Sequence, residues 1–127
     1  MPEHVHLLIR PRGPDADIAR IRQAIKEPVG RRAIKFLQEH FPEWIERLSR
    51  RRGKKVERLL WQSGGGYDRN ITSAPALTAV VDYIHMNPVR RNFVAGPADW
   101  FWSSARWFEN RDKSPVRLDP IPAEWLA

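Results

Sequence analysis

Apolar positions alternate at the start of the chain. Val5, Leu7 and Ile9 are interleaved with His4, His6 and Leu8, the period of two that a half-buried strand shows, and the pattern predicts a strand over Met1–Ile9. Pro11, Gly13 and Pro14 end it in a loop reaching Asp15. The period then lengthens. Asp17 is a helix-capping residue, and Ile18, Ile21, Ala24 and Ile25 recur at helical spacing as one apolar stripe. Pro28 and Gly30 are expected to interrupt that helix. A second helical stretch would carry Ala33, Phe36, Leu37, His40 and Phe41, and a third would cover roughly Glu43–Leu48. Val56, Leu59, Leu60 and Trp61 suggest a short strand, Gly64–Gly66 break the chain, and Tyr67–Ile71 reads as extended. Ser73 and Pro75 form a helix start, after which Leu77, Val80, Val81 and Ile84 fall at i, i+3, i+4 and i+7. Pro88 is expected to stop this helix at or before Asn87. Beyond it, Trp100, Trp102, Trp107 and Trp125 lie among prolines and charges with little periodicity. This reads as a partly ordered tail that packs through its tryptophans and frays after about Asn110.

The chain's 127 residues suffice for one modest core, so the expectation is a single domain over 1–110 with a tail at 111–127. Charge sharpens the picture: 22 basic against 15 acidic residues give +7, alongside six Trp and two Tyr. Cations neutralise phosphates and aromatic rings give unpaired bases a stacking surface, so composition leans toward nucleic acid. The absence of cysteine excludes disulfides, thiolate metal sites and cysteine nucleophiles. No apolar run has the length of a membrane span, and charge and proline interrupt the N-terminus too early for a signal peptide. A soluble, intracellular protein without membrane partners is the expectation.

Three local features can carry chemistry. His4 and His6, at i and i+2 on a strand, project to one face and can reach one cation; alone, such a pair is more often ordinary edge-strand surface. Tyr83 and Asn87 lie four apart on a helix, beside its core stripe. A tyrosine hydroxyl can attack phosphorus and an amide oxygen can join a metal shell, but alone this pair also reads as a boundary residue and a cap before Pro88. Arg47, Arg50, Arg51, Arg52, Lys54, Lys55 and Arg58 crowd about a dozen residues around Gly53. That cluster suits either a solvated loop or a contact tracking a DNA backbone, with Trp61 just after it.

Taken in order, these segments resemble a known family. Met1-Pro2-Glu3-His4-Val5-His6-Leu7-Leu8-Ile9 is similar to the histidine-bearing "MPxHVHLL" strand of the REP-associated tyrosine transposases, within the single-tyrosine HUH transposase superfamily. Trp61-Gln62 with Tyr67-Asp68-Arg69 resembles that family's "WQ…(F/Y)xDR" stretch. Val81-Asp82-Tyr83-Ile84-His85-Met86-Asn87-Pro88-Val89-Arg90 resembles its "DYIxxNPV(R/K)" helix end, and Trp100-Phe101-Trp102-Ser103-Ser104 its "W.WSS" box. The resemblance runs from Met1 to about Trp107.

It implies an α+β fold, an HUH-endonuclease-like, ferredoxin- or RRM-like central antiparallel sheet flanked by helices. It implies attack of the Tyr83 hydroxyl on single-stranded DNA near a hairpin, leaving a 5′-phosphotyrosine and a free 3′-hydroxyl. Mg²⁺ or Mn²⁺ would be held by His4, His6 and Asn87. Tyr67 is the rival nucleophile and matches a non-catalytic family position. Lys26, Arg90 and Arg91 are expected to join the basic cluster and Trp61 in contacting DNA. A monomer or homodimer in the bacterial cytoplasm, associated with the nucleoid, is expected. The family carries a strand, a helix and the start of the histidine strand ahead of its "MPxHVH" box. The expectation is therefore an N-terminally shortened domain, marginally folded or partner-dependent, with an unpaired sheet edge. The residues between Ala33 and Lys55 read as a helical insertion contacting hairpin DNA. The alternative is a catalytically inactive or domesticated module that binds structured single strands without cutting them.

Overall fold

The computed structural model describes residues 3–125. The fold is mixed: four α-helices, two short 3-10 turns and one two-stranded antiparallel sheet among those residues. The elements run α1 (Ile18–His40), α2 (Glu43–Leu48), β1 (Ser49–Arg52), β2 (Lys55–Arg58), α3 (Ala74–Arg90) and α4 (Ala105–Glu109), with 3-10 turns at Arg111–Lys113 and Ala123–Trp125. The chain divides into two compact units. One takes in the described residues up to Ile9 and from Arg69 onward, and the other is Arg10–Asp68.

In the Arg10–Asp68 unit, the Asp17 carboxylate accepts from the Ala19 N–H at 2.8 Å and starts α1 as expected. The helix does not break at Pro28 or Gly30; it runs 23 residues through both. Proline deletes one donor and crowds one carbonyl, a cost of about 3 kcal/mol that a long helix absorbs by bending rather than ending. Most of the predicted core stripe is uncovered: Ile18, Ala24 and Ile25 are exposed and Ile21 is half-buried, while Val29 and Phe36 further along are exposed. The helix spends other positions on the Leu59–Asp68 segment. Trp61 Nε1 donates to the Lys26 carbonyl at 2.8 Å, and the Arg22 guanidinium donates to the Gly65 carbonyl and pairs with Asp68 at 3.7 Å. The Arg-rich stretch is an antiparallel hairpin, β1 on β2, pairing Ser49 with Arg58 and Arg52 with Lys55. Gly53, at φ +61°, supplies the left-handed turn that joins them. The strand expected at Val56–Trp61 therefore ends at Arg58, and the extended Tyr67–Ile71 reading pairs with no strand among the described residues.

In the other unit, the Ser73 hydroxyl accepts from the Ala76 N–H, and Pro75 sits in the first turn of α3, as the pattern predicts. Leu77 is buried, with Val80, Val81 and Ile84 half-buried along the same stripe. Pro88 does not stop this helix. The stop comes one turn later, where Asn92 takes φ +56°, the Phe93 N–H bonds the Pro88 carbonyl at 3.0 Å and the Asn92 N–H bonds the Val89 carbonyl at 2.9 Å. That paired arrangement around a left-handed residue satisfies the last carbonyls, and asparagine tolerates it better than most side chains.

The expected Met1–Ile9 strand is corrected: Met1 and Pro2 lie outside the described residues, and residues 4–10 join no ladder. A strand exists only through hydrogen bonds to a neighbour, and the sheet among the described residues is the two-stranded hairpin of the Arg10–Asp68 unit rather than a central sheet. The period of two survives in burial over residues 4–7 and breaks at Leu8, which is exposed like Leu7. His4 and His6 turn inward while Val5 and Leu7 are about half exposed, at 51% and 53%. The expectation of packing through tryptophans is corrected in part. Trp102 stands outward, and it is the small residues Ser103 and Ala105 that are buried. No described helix is long and apolar enough to cross a membrane.

Candidate metal and nucleophile site

Helical spacing puts Tyr83, Asn87 and Arg90 along one side of α3, and the extended N-terminal segment lays His4 and His6 against that side. The His4 and His6 Nε2 atoms stand 3.1 Å apart, their rings nearly perpendicular. The Asn87 side-chain amide lies 3.3 Å from His6 Nε2. The Tyr83 ring is 5.5 Å from the His6 ring, edge to face. Tyr83 is 47% exposed. The Arg90 guanidinium lies 5.7 Å from the Tyr83 ring centroid.

This convergence fits a divalent ion. An imidazole nitrogen has one in-plane site, so the two Nε2 atoms can share at most one proton between them. Two ligands at adjacent corners of an octahedral ion, each at about 2.1 Å, would be about 3.0 Å apart. The 3.1 Å spacing matches that demand. Asn87 adds a second sign: it is 7% exposed and its Oδ1 is buried without a hydrogen-bond partner. A buried orphan oxygen costs about 1–3 kcal/mol. Turning the amide over exchanges its two ends, which presents the oxygen toward the imidazoles. Among the described residues no cluster of three or more His, Asp, Glu or Cys forms a metal cage, so the donor set consists of two imidazoles and an amide.

Glu3 was not singled out in the sequence. Its carboxylate pairs with the Arg91 guanidinium and lies 4.0 Å from His4 Nδ1. A hydrogen bond from its own backbone N–H, aided by Arg91, holds its pKa below the ordinary value. A carboxylate on the far side of an imidazole favours the Nδ1-protonated tautomer, leaving Nε2 free as a ligand. Arg91, expected to contact DNA, is thereby tied to the histidine segment, a pairing that no motif in the sequence signals. Lys26 belongs to the other unit, where its ammonium lies 5.5 Å from the Trp61 ring centroid.

The remaining basic residues also lie in the Arg10–Asp68 unit. Arg47 stacks over Trp44 at 4.8 Å, and Arg50 reaches Ser63 Oγ at 3.4 Å. Arg51, Arg52, Lys54, Lys55 and Arg58 are exposed on the hairpin. Tyr67 is 90% exposed in a glycine-rich loop of the same unit.

On α3, His85 Nε2 meets Ser104 Oγ at 2.8 Å. Burial lowers the His85 pKa against a smaller opposing pull from Asp82, and burial together with the neighbouring His4 lowers that of His6. Both rings are thus held neutral. Their contribution to stability is complete above the ordinary value of 6.5 and is lost as pH falls through their depressed values. In the presence of a chelator, the melting temperature is expected to fall between pH 7.5 and pH 5, and His85→Gln should shrink that fall. A melt unchanged across this interval would contradict the assignment.

No family model, curated protein or solved structure matches this chain.

Proposed function

We propose that the chain is a metal-dependent, single-tyrosine transposase domain of the HUH kind, a nicking and rejoining enzyme for single-stranded DNA near hairpins. The observation that carries this reading is the meeting of His4 Nε2, His6 Nε2 and the buried Asn87 amide, whose oxygen has no partner, beside the accessible Tyr83. On this reading the extended His4–Ile9 segment serves to present the two imidazoles to α3.

His4, His6 and Asn87 would hold Mg²⁺ or Mn²⁺, which when bound supplies Lewis-acid stabilisation of charge on a phosphate oxygen. The protein's own residues do the rest. Tyr83 Oη attacks phosphorus as the bond from phosphorus to the 3′ oxygen breaks, the phenolic proton is passed on to that leaving oxygen, and the products are a 5′-phosphotyrosine and a 3′-hydroxyl. The linkage keeps the phosphodiester's energy for rejoining. Arg90 lies where a cation would steady the phosphate near the ring. Two nitrogen ligands favour the later first-row ions over Mg²⁺, so Mn²⁺ is expected to support the reaction better than Mg²⁺.

The test is covalent capture: labelled hairpin-flanked single-stranded DNA, Mn²⁺ and a denaturing gel. A slower-migrating protein–DNA band that disappears with chelator is expected. A band of equal yield in chelator would remove the metal from the reading. The second reading, a module that binds structured single strands without cutting, is favoured by the hairpin's exposed cations. It would stand if salt-sensitive binding were found with no band under any ion.

A further inference from the structure

A groove of about 610 Å³ runs between α1 and the Leu59–Trp61 segment, wholly inside the Arg10–Asp68 unit. Its volume lies within the range of ligand-binding clefts, roughly 300–1,000 Å³. Its apolar wall is Ile34, Leu59, Leu60 and Trp61, and Gln38 and Arg58 stand along it. The Trp61 ring is fixed rather than free to collapse into the space. Its indole N–H is bonded to the Lys26 carbonyl at 2.8 Å and the Lys26 ammonium approaches its ring. The ring lies against α1 at Gly30, where a Cβ would stand 3.4 Å from the indole, in ordinary contact.

The charges along the groove are unequal in their commitments. Arg31 is engaged by Glu27 at 3.3 Å and Lys35 by Glu39 at 3.9 Å. The Arg58 guanidinium has no such partner among the described residues. Arg58 also continues into the hairpin. It pairs with Ser49, while Arg51 pairs with Val56 two residues along, so Arg51 and Arg58 share one hairpin face. An apolar slot thus has an uncommitted cation, Arg58, along it and a second, Arg51, on the same face of the hairpin beyond.

We propose that this groove takes one unpaired base of a single-stranded nucleic acid, stacked against Trp61, with its phosphate at Arg58 and the neighbouring phosphates along the hairpin. The Gln38 amide, donor and acceptor together, can hydrogen-bond the edge of any base, so the slot accepts bases without strong sequence preference. This rests on nucleic acid being the partner but not on cleavage.

The experiment compares equilibrium binding, in chelator, of a 12-residue oligothymidylate with a 12-residue strand of abasic sugars carrying the same phosphates. The oligothymidylate is expected to bind roughly ten- to a hundredfold tighter, the worth of one or two stacked bases. Trp61→Leu should erase most of that difference and Trp61→Phe should keep it. Equal affinities for the two strands, or a preference that survives in Trp61→Leu, would overturn the proposal. So would thymidine monophosphate binding as tightly as the oligomer, which would make the groove a free-nucleotide site. Should Trp61→Leu lose its cooperative melt, the indole N–H resonance absent from Trp61→Phe serves instead. It must shift with the oligothymidylate and stay put with the abasic strand; no shift overturns the proposal. Because no step requires a divalent ion, a failed base preference and a failed covalent capture are read separately.

Discussion

Tyr83→Phe is expected to abolish the covalent protein–DNA band while leaving the fold and DNA affinity within about twofold of the unaltered protein. The substitution removes one oxygen from a ring that is half exposed, so no buried partner is orphaned. What disappears is the only atom of that side chain able to bond to phosphorus, and nucleophile removal typically costs several orders of magnitude in rate. Tyr67→Phe is the matched control. Tyr67 is the more exposed of the two phenols, at 90%, yet it belongs to the other unit, and the histidine pair belongs to the unit of Tyr83. It should leave capture intact. Loss of the band in Tyr67→Phe and its persistence in Tyr83→Phe would move the nucleophile and dismantle the proposed site.

Asn87→Leu should separate stability from activity in opposite directions. Asn87 is 7% exposed and its buried oxygen lacks a partner. Leucine is close in size, prefers helix more than asparagine does, and deletes the unsatisfied group. The variant is expected to be more stable by about 1 kcal/mol, read as a higher denaturant midpoint at unchanged slope. Divalent-dependent capture should fall by more than the roughly 10- to 100-fold that removing a mere neighbour of a metal ligand costs. A residue that destabilises its fold and enables the reaction marks a functional position. An Asn87→Leu protein that is less stable and equally active would show the amide to be structural.

The parts legible in the sequence were those governed by local rules. Ser73 with Pro75 announced α3, and the i, i+4 relation of Tyr83 and Asn87 followed from it. The alternation of His4 and His6 with Val5 and Leu7 placed both imidazoles on one side, although residues 4–10 form no ladder. What local rules misjudged were the helix ends. Pro28 and Pro88 look like stops, but a helix ends where its last carbonyls find other partners, and Asn92 provides that only after Arg90. The hairpin was hidden because Arg and Lys have little strand preference; Gly53 gave the turn, but the pairing of Arg52 with Lys55 sets like charges opposite one another. Glu3 was missed because its role depends on Arg91, 88 residues on by number, and no spacing rule reaches so far. The outward side of α1 was misread for a related reason: periodicity shows that a stripe exists, and tertiary partners decide whether it is covered.

The hairpin has a consequence for how a target would be found. On the proposed reading its cations would meet phosphates, and phosphates are the same on every strand in a cell, so this element would hold the protein to nucleic acid in general and distinguish nothing. Ribosomal and messenger RNA would occupy it as readily as a transposon end. On the proposed reading, recognition of one address among many must then come from the shape of the folded strand and the few bases near the histidine pair. The Arg-rich strands would then contribute time spent searching, and the choice of where to stop would be made elsewhere in the molecule.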